Sequence, residues 1–284
     1  MTTPFGPRLR TAMAAYGPLC AGLDPHRGLV ERWGLEYSLA GLERFAMTCV
    51  EAYAGQVAVV KPQSAFFEVF GSGGVRVLER VLADLRDAGT LTILDVKRGD
   101  IGSTMQAYAD AYLGDASELR ADAVTVSPFL GYASLRPALD LAAATGRGVF
   151  VLALTSNPEG PQVQHAEREA RSVAATVVDG AAADNVAAVS RGELGSVGLV
   201  IGATVGDALR DLGIDLMAAG TPVLAPGYGA QGGTVEAMRR TFGEALPQVL
   251  ASSSREVLSA GPDVGALRAA AVGTAARLSD ALRP

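Results

Sequence analysis

The strongest constraint on the fold is a rhythm. Eight short apolar or β-branched runs, at residues 19–24, 57–61, 91–97, 123–127, 149–155, 197–204, 222–226 and 249–254, alternate with longer stretches whose apolar residues fall at helical spacing. Val75, Leu78, Val81, Leu82 and Leu85 trace one such stripe, and Leu135, Leu139 and Leu141 another. Runs that are apolar throughout are strands buried on both faces, and strands alternating with crossover helices form a parallel sheet. Eight such units in roughly 250 residues predict an α/β chain folded as a (β/α)8 TIM barrel. An open doubly wound sheet has the same periodicity, because periodicity does not report closure. No shift in composition and no Pro- or Ser-rich linker divides the chain, so residues 1–284 read as a single domain.

Of the 284 residues, 49% are hydrophobic and 19% charged, enough to bury a large core. The net charge of −6 argues against a nonspecific grip on nucleic acid or on an anionic membrane surface. Any anion must therefore meet a local pocket. No apolar run reaches the length of about 18 residues that a membrane helix needs. Arg8 and Arg10 followed by residues 11–15 imitate a signal peptide, but Gly17-Pro18 interrupts the apolar region and Asp24 follows. Cys20 and Cys49 have neither metal spacing nor a disulfide framework, and His26 and His165 are the only histidines, which leaves no zinc set. The expectation is a cytoplasmic protein.

Among the 24 basic residues only Lys61 and Lys97 are lysines, so 24 − 2 = 22 are arginines. Arginine replaces lysine well on a solvated surface. It does so poorly where a compact ammonium must fit or a proton must be released. Both lysines stand beside acids at the C-terminal ends of predicted strands: Asp24 on the first, Lys61 and Gln63 on the second, Asp95 and Lys97 on the third. Asp95 and Lys97 are two apart on a strand and so share a face, which in a barrel is the interior, where charges must be paired. Asp100 follows, giving D-x-K-x-x-D with Thr104 four residues on. A lysine held between carboxylates stays protonated, which suits a proton donor or charge clamp better than a Schiff-base nucleophile. An ion-pair network that merely closes the barrel is the structural alternative.

Two further segments carry chemistry. Residues 225–233 (APGYGAQGG) and 252–255 (SSSR) follow the seventh and eighth strands, where barrels hold phosphate, and Arg255 adds a bidentate donor. Residues 227–232 also spell G-x-G-x-x-G, but the next strand ends in serines and Arg255 instead of the acid a dinucleotide unit wants, leaving an NADP-like reading as a lesser alternative. Residues 156–164, between the fifth strand and the Ala/Glu/Arg-rich helix after it, read as a long loop on the catalytic face, either a lid or a surface excursion.

Taken together, Gly22-Leu-Asp-Pro25, Lys61-Pro-Gln-Ser-Ala-Phe-Phe-Glu68, the Asp95 to Thr104 stretch, Ser127-Pro-Phe-Leu-Gly131, Thr155-Ser-Asn-Pro-Glu-Gly160, residues 226–233 and Ser253-Ser-Arg255 resemble the orotidine 5′-phosphate decarboxylases, in particular their longer actinobacterial-type subgroup. The resemblance spans nearly the whole chain. It implies a (β/α)8 homodimer that converts orotidine 5′-monophosphate to UMP and CO2, the last step of UMP synthesis, without metal or organic cofactor. Lys61, Asp95, Lys97 and Asp100 match the family's Lys-Asp-Lys-Asp array, and the resemblance implies that Asp100, Ile101 and Thr104 enter the site from the partner subunit. It further implies that Asp24 and Lys61 hold ribose hydroxyls, that Ser127 meets the pyrimidine, and that Pro226, Gln231 and Arg255 surround the phosphate.

The chemistry fits the residues: loss of CO2 leaves a carbanion at C6, which needs a nearby cation that then becomes the proton donor, and Lys97 serves both needs. Asp95 would stand beside the departing carboxylate, repelling it or orienting Lys97. Within the superfamily the runner-up is a Mg2+-dependent sugar-phosphate decarboxylase or aldolase-like enzyme that shares D-x-K-x-x-D. That branch places a Glu ligand on the second strand, where this chain has Lys61. A noncatalytic module that binds a phosphate ligand is the alternative from another class.

Overall fold

The computed structural model describes residues 3–229 and 232–282. Eight strands close into one parallel barrel: β1 Leu19–Leu23, β2 Val59–Pro62, β3 Leu91–Arg98, β4 Ala123–Val126, β5 Gly148–Leu154, β6 Val197–Ile201, β7 Val223–Pro226 and β8 Val249–Ser253. Each strand pairs with its neighbours in sequence, and β1 closes the ring on β8 through Leu19↔Ala251 and Cys20↔Ser252. The alternation read from the sequence is therefore a closed barrel and not an open sheet.

Burial on both faces explains why these strands read as unbroken apolar runs. Outward residues such as Leu19, Val60, Leu94, Val124 and Val151 pack under the helices in one continuous core, to which helix Gly71–Asp87 contributes Val77, Leu78, Val81, Leu82 and Leu85. Inward residues Cys20, Val59, Ile93, Ala123, Phe150, Val200, Leu224 and Leu250 form a second apolar cluster inside the barrel. Helix Phe5–Tyr16 plugs the bottom of that cluster with Phe5 and Leu9. The Phe5 ring meets Phe150 edge-on at 5.9 Å, and Gly148 leaves the room, since a Cβ there would stand 2.5 Å from the Phe5 ring. With its lower half filled by apolar side chains, the barrel opens to ligand at the C-terminal ends of its strands. Among the described residues no helix is long and apolar enough to cross a membrane.

The excursion after β5 differs from the expected loop leading directly into a helix. Residues 156–160 lead to a single helical turn, Pro161–Gln164, and then to an antiparallel hairpin of Glu167–Arg168 with Arg171–Ser172. The long helix begins only at Val173, where the Ser172 side chain accepts from the amide of Ala175. The hairpin turn places Glu169 and Ala170 at φ 56° and 58°. Such turns usually announce themselves with Asn-Gly or Asp-Gly, and Glu-Ala gives no such signal.

Candidate active site

Because side chains alternate along a strand, the inward series of each strand continues upward from the apolar plug into the mouth of the barrel. On β1 it runs from Cys20 to Asp24 just past the strand end, on β2 from Val59 to Lys61 and Gln63, and on β3 from Ile93 to Asp95 and Lys97. β4 contributes Thr125, β5 Leu152 and Leu154, β7 Leu224 and Pro226, and β8 Ser252, with Ser254 and Arg255 just beyond. Together they line a cavity of about 310 Å3, apolar below and charged above. A wider basin of about 620 Å3 adjoins it on the β1–β3 side, lined also by His26, Phe66, Glu68 and Arg98.

At the centre stands Asp95, 5% exposed. Its Oδ2 accepts from Lys61 Nζ at 3.0 Å and from Gln63 Nε2 at 2.8 Å, and its Oδ1 accepts from Lys97 Nζ at 2.6 Å and from the Thr125 hydroxyl at 2.7 Å. Burial resists ionisation of this carboxyl, but Lys61, Lys97 and the Thr125 hydrogen bond outweigh it and hold its pKa well below the ordinary carboxylate range. Burial likewise opposes the Lys61 ammonium, yet Asp95 and Asp24 overcome it and push that pKa above the usual lysine value. Lys61 Nζ lies 3.9 Å from Asp24 Oδ1, a buried atom with no hydrogen-bond donor among the described residues. The Lys97 side chain is 46% exposed and opens onto the cavity, so the array has one buried lysine and one accessible lysine on either side of a single carboxylate.

This pairing has a pH signature. A carboxyl whose pKa falls on folding contributes stability in full above its unfolded value of about 3.9 and loses it as pH drops towards the folded value. The melting-temperature advantage of the wild-type chain over Asp95→Asn is therefore expected to narrow as pH is lowered from about 5 towards 2. A gap that stays constant across that range would contradict the ion pairing of Asp95.

Backbone features explain the local motifs. Lys97 sits at φ 45°, so β3 kinks where a regular strand was expected, and both Asp95 and Lys97 still reach the cavity. Gly99 lies so close to β4 that a Cβ would stand 2.3 Å from the Ser127 carbonyl oxygen, which accounts for the glycine in the Lys97 to Asp100 segment. Gly22 is required by the approach of Ser254 across the β1–β8 seam, where a Cβ would overlap its side chain. Turn Arg255–Leu258 is fastened from behind by Trp33, whose indole N–H donates to the Leu258 carbonyl at 2.9 Å. Arg255 is exposed, its side chain makes no hydrogen bond or ion pair among the described residues, and it borders both basins.

Asp24, Lys61, Asp95, Lys97, Pro226 and Arg255 thus come together around one cavity. Asp100 does not join them: its Oδ1 accepts from the Ile101 amide at 2.8 Å, Ile101 is 62% exposed, and Thr104 is also exposed. Ser127 is half-buried at the end of β4, where its amide donates to the Arg98 carbonyl, and it is not part of the cavity wall. Gln231 lies outside the described residues. The glycines at 227, 229 and 232 all have positive φ and support a tight turn closed by Gly233 N–H to the Gly227 carbonyl at 3.0 Å, so turn geometry accounts for the G-x-G-x-x-G spelling. Sequence reasoning missed Thr125, Thr155 and Ser156, which also line the cavity. Inward parity on β4, counted from Ala123, was the signal for Thr125.

A closed (β/α)8 barrel whose charged interior layer opens at the C-terminal end of its strands has the architecture of a barrel enzyme, whose active sites lie on that face. Comparison with known proteins names the family. Residues 17–270 match the model of the orotidine 5′-phosphate decarboxylase / HUMPS family. The chain is 60% identical over 268 residues to an orotidine 5′-phosphate decarboxylase of Salinispora arenicola, covering 94% of each chain, and 57% identical over 270 residues to one from Streptomyces coelicolor, again with 94% of each covered. A crystal structure from Streptomyces avermitilis, provisionally assigned the same activity, superposes with a TM-score of 0.94 at 54% identity over 99% of this chain and 96% of that one. The chain belongs to the orotidine 5′-phosphate decarboxylase family.

Proposed function

We propose that Lys97 is the acid in this protein's decarboxylation of orotidine 5′-monophosphate to UMP and CO2, the last step of UMP synthesis. One observation carries the assignment of roles: a solvent-accessible ammonium held 2.6 Å from a buried, ionised carboxylate at the mouth of the barrel cavity. The C6–carboxylate bond breaks with its electron pair left on C6, CO2 departs, and a Lys97 N–H proton passes to C6, after which solvent returns a proton to the amine. Before that transfer the Lys97 cation stabilises the developing carbanion. Asp95 holds Lys97 in place, and no organic cofactor or metal takes part in the step.

The remaining contacts follow from unused capacity. Asp24 Oδ1 has no donor among the described residues and takes a ribose hydroxyl, with Lys61 beside it. Arg255, whose side chain has no hydrogen bond or ion pair among the described residues, takes the phosphate beside Pro226; the roles of Gln231 at the phosphate and Ser127 at the pyrimidine rest on the family resemblance alone. The working unit is a homodimer in the cytoplasm, with Asp100, Ile101 and Thr104 each completing the neighbouring subunit's site. Support comes from the large apolar side chains left exposed beside the mouth: Ile101 at 62%, Phe129 at 78% and Leu130 at 52%.

Purified protein mixed with orotidine 5′-monophosphate and EDTA is expected to turn over, seen as loss of the orotate absorbance band with formation of UMP. Turnover abolished by EDTA would point instead to the metal-dependent branch. For the shared site, mixing inactive Lys97→Ala and Asp100→Ala protomers gives heterodimers with one doubly lesioned and one intact site. Random exchange should therefore recover about a quarter of wild-type activity. If heterodimers demonstrably form yet remain inactive, Asp100 serves its own subunit.

A further inference from the structure

Asp95 and Lys97 meet because β3 leaves its ladder. β3 and β4 are paired at Leu94↔Val124 and again at Arg98↔Val126, so three β3 residues stand opposite Thr125 alone. In that bulge the Lys97 amide has lost its strand partner and donates to Thr125 Oγ1 at 3.0 Å. The same hydroxyl donates its one proton to Asp95 Oδ1 at 2.7 Å, the oxygen that also takes the Lys97 ammonium at 2.6 Å. Thr125 is 1% exposed and lies in the cavity floor. Lys97 is held at φ 45°, a conformation that a residue with a long side chain adopts only when its surroundings impose it.

We propose that Thr125 is a positioning residue for the proton transfer: its hydroxyl ties the backbone of Lys97 to the carboxylate of Asp95, and so keeps the ammonium aimed at the reacting carbon. This rests on the reading of Lys97 as the acid. Valine matches the shape of threonine but has no hydroxyl. In a valine variant the Lys97 amide loses its acceptor and Asp95 a donor, so the kink relaxes and the ammonium wanders. Asp24 just past β1 and Arg255 beyond β8 lie across the barrel from β4, so their hold on the nucleotide is spared.

The test measures kcat and KM for orotidine 5′-monophosphate in Thr125→Val and Thr125→Ser, with Lys97→Ala alongside. Thr125→Val is expected to lose kcat about tenfold to a hundredfold with KM within about threefold of wild type, and Thr125→Ser to keep kcat within about threefold. Full kcat in the valine variant, an equal loss in the serine variant, or a KM that rises as far as kcat falls would each overturn the proposal. If the valine protein does not fold, Thr125→Ala is read in its place. If neither folds while the serine variant does, the hydroxyl is purely structural and the proposal fails. Wild-type turnover by Lys97→Ala would sink the acid role itself, a result distinct from an inert Thr125.

Discussion

Lys97→Arg is expected to retain the charge and lose several powers of ten in kcat. The Lys97 ammonium is 2.6 Å from Asp95 Oδ1 and rises from a left-handed backbone position into a cavity of about 310 Å3 that must also hold a nucleotide. A guanidinium needs a planar, bidentate partner, and Asp95 cannot supply one, because its Oδ2 is already taken by Lys61 and Gln63 and its Oδ1 by Thr125. The larger group must therefore push into the space of the pyrimidine. It is also a poor acid: its pKa above about 12 makes proton donation to a carbanion less favourable than from an ammonium. Crowding of the pyrimidine weakens substrate binding as well, but the loss of the acid acts on the chemical step alone, so kcat falls more than KM rises. The check is steady-state kinetics on folded protein of unchanged melting temperature. Near-normal turnover would remove Lys97 from the role of acid and reduce the array to a barrel-closing ion-pair network.

The legible parts of the fold are those where one physical cause acts over many residues. Eight apolar runs are readable because a strand buried on both faces carries polar residues only at a few positions, mostly near its C-terminal end, and the strands observed begin and end within a few residues of those runs. Boundaries slip where the chain stays apolar after the ladder ends. The run at 197–204 continues past Ile201 because Ala203 is buried outside the strand, its amide donating to the Pro226 carbonyl. The hairpin of residues 167–172 was hidden because two-residue strands carry no periodicity and its turn lacks glycine and asparagine. The plug formed by Phe5 and Leu9 was hidden too, since nothing in a short amphipathic helix says which end of a barrel it closes.

The site divides in the same way. Lys61, Asp95 and Lys97 stood out because charged residues of opposite sign on interior positions must be paired, and the structure pairs them. Thr125 did not stand out, because a threonine within residues 123–127 is ordinary strand composition. Its importance depends on the register break in the facing strand, which no local pattern encodes. The Asp100 segment is the reverse case: its residues are recognisable as a motif, yet Asp100 is engaged by the Ile101 amide, Ile101 is exposed, and the segment does not line the cavity that holds Lys61, Asp95 and Lys97.

Arg255→Ala is expected to separate the nucleotide from its nucleoside. Arg255 is anchored only through its backbone, on the turn that Trp33 fastens, while its side chain has no hydrogen bond or ion pair among the described residues. The neighbouring Glu256 is engaged instead, with Arg277 at 3.1 Å, and fills the space beside Gly229, so the loops after β7 and β8 meet without Arg255. Removing Arg255 should therefore leave the barrel standing and cost only what the guanidinium gives to the ligand. A charge-assisted bond to phosphate is worth about 1.5–3 kcal/mol, so kcat/KM for orotidine 5′-monophosphate should fall about tenfold to a hundredfold or more. Orotidine, which has no phosphate to hold, should react at nearly the wild-type kcat/KM. Part of the nucleotide's loss should appear in kcat, because binding energy from a remote group can be realised at the reacting carbon only in the transition state. An arginine that merely braced the barrel would harm both substrates alike and lower the melting temperature. Equal losses on nucleotide and nucleoside would thus remove Arg255 from the phosphate and leave the open face between the β7 and β8 loops without its anion.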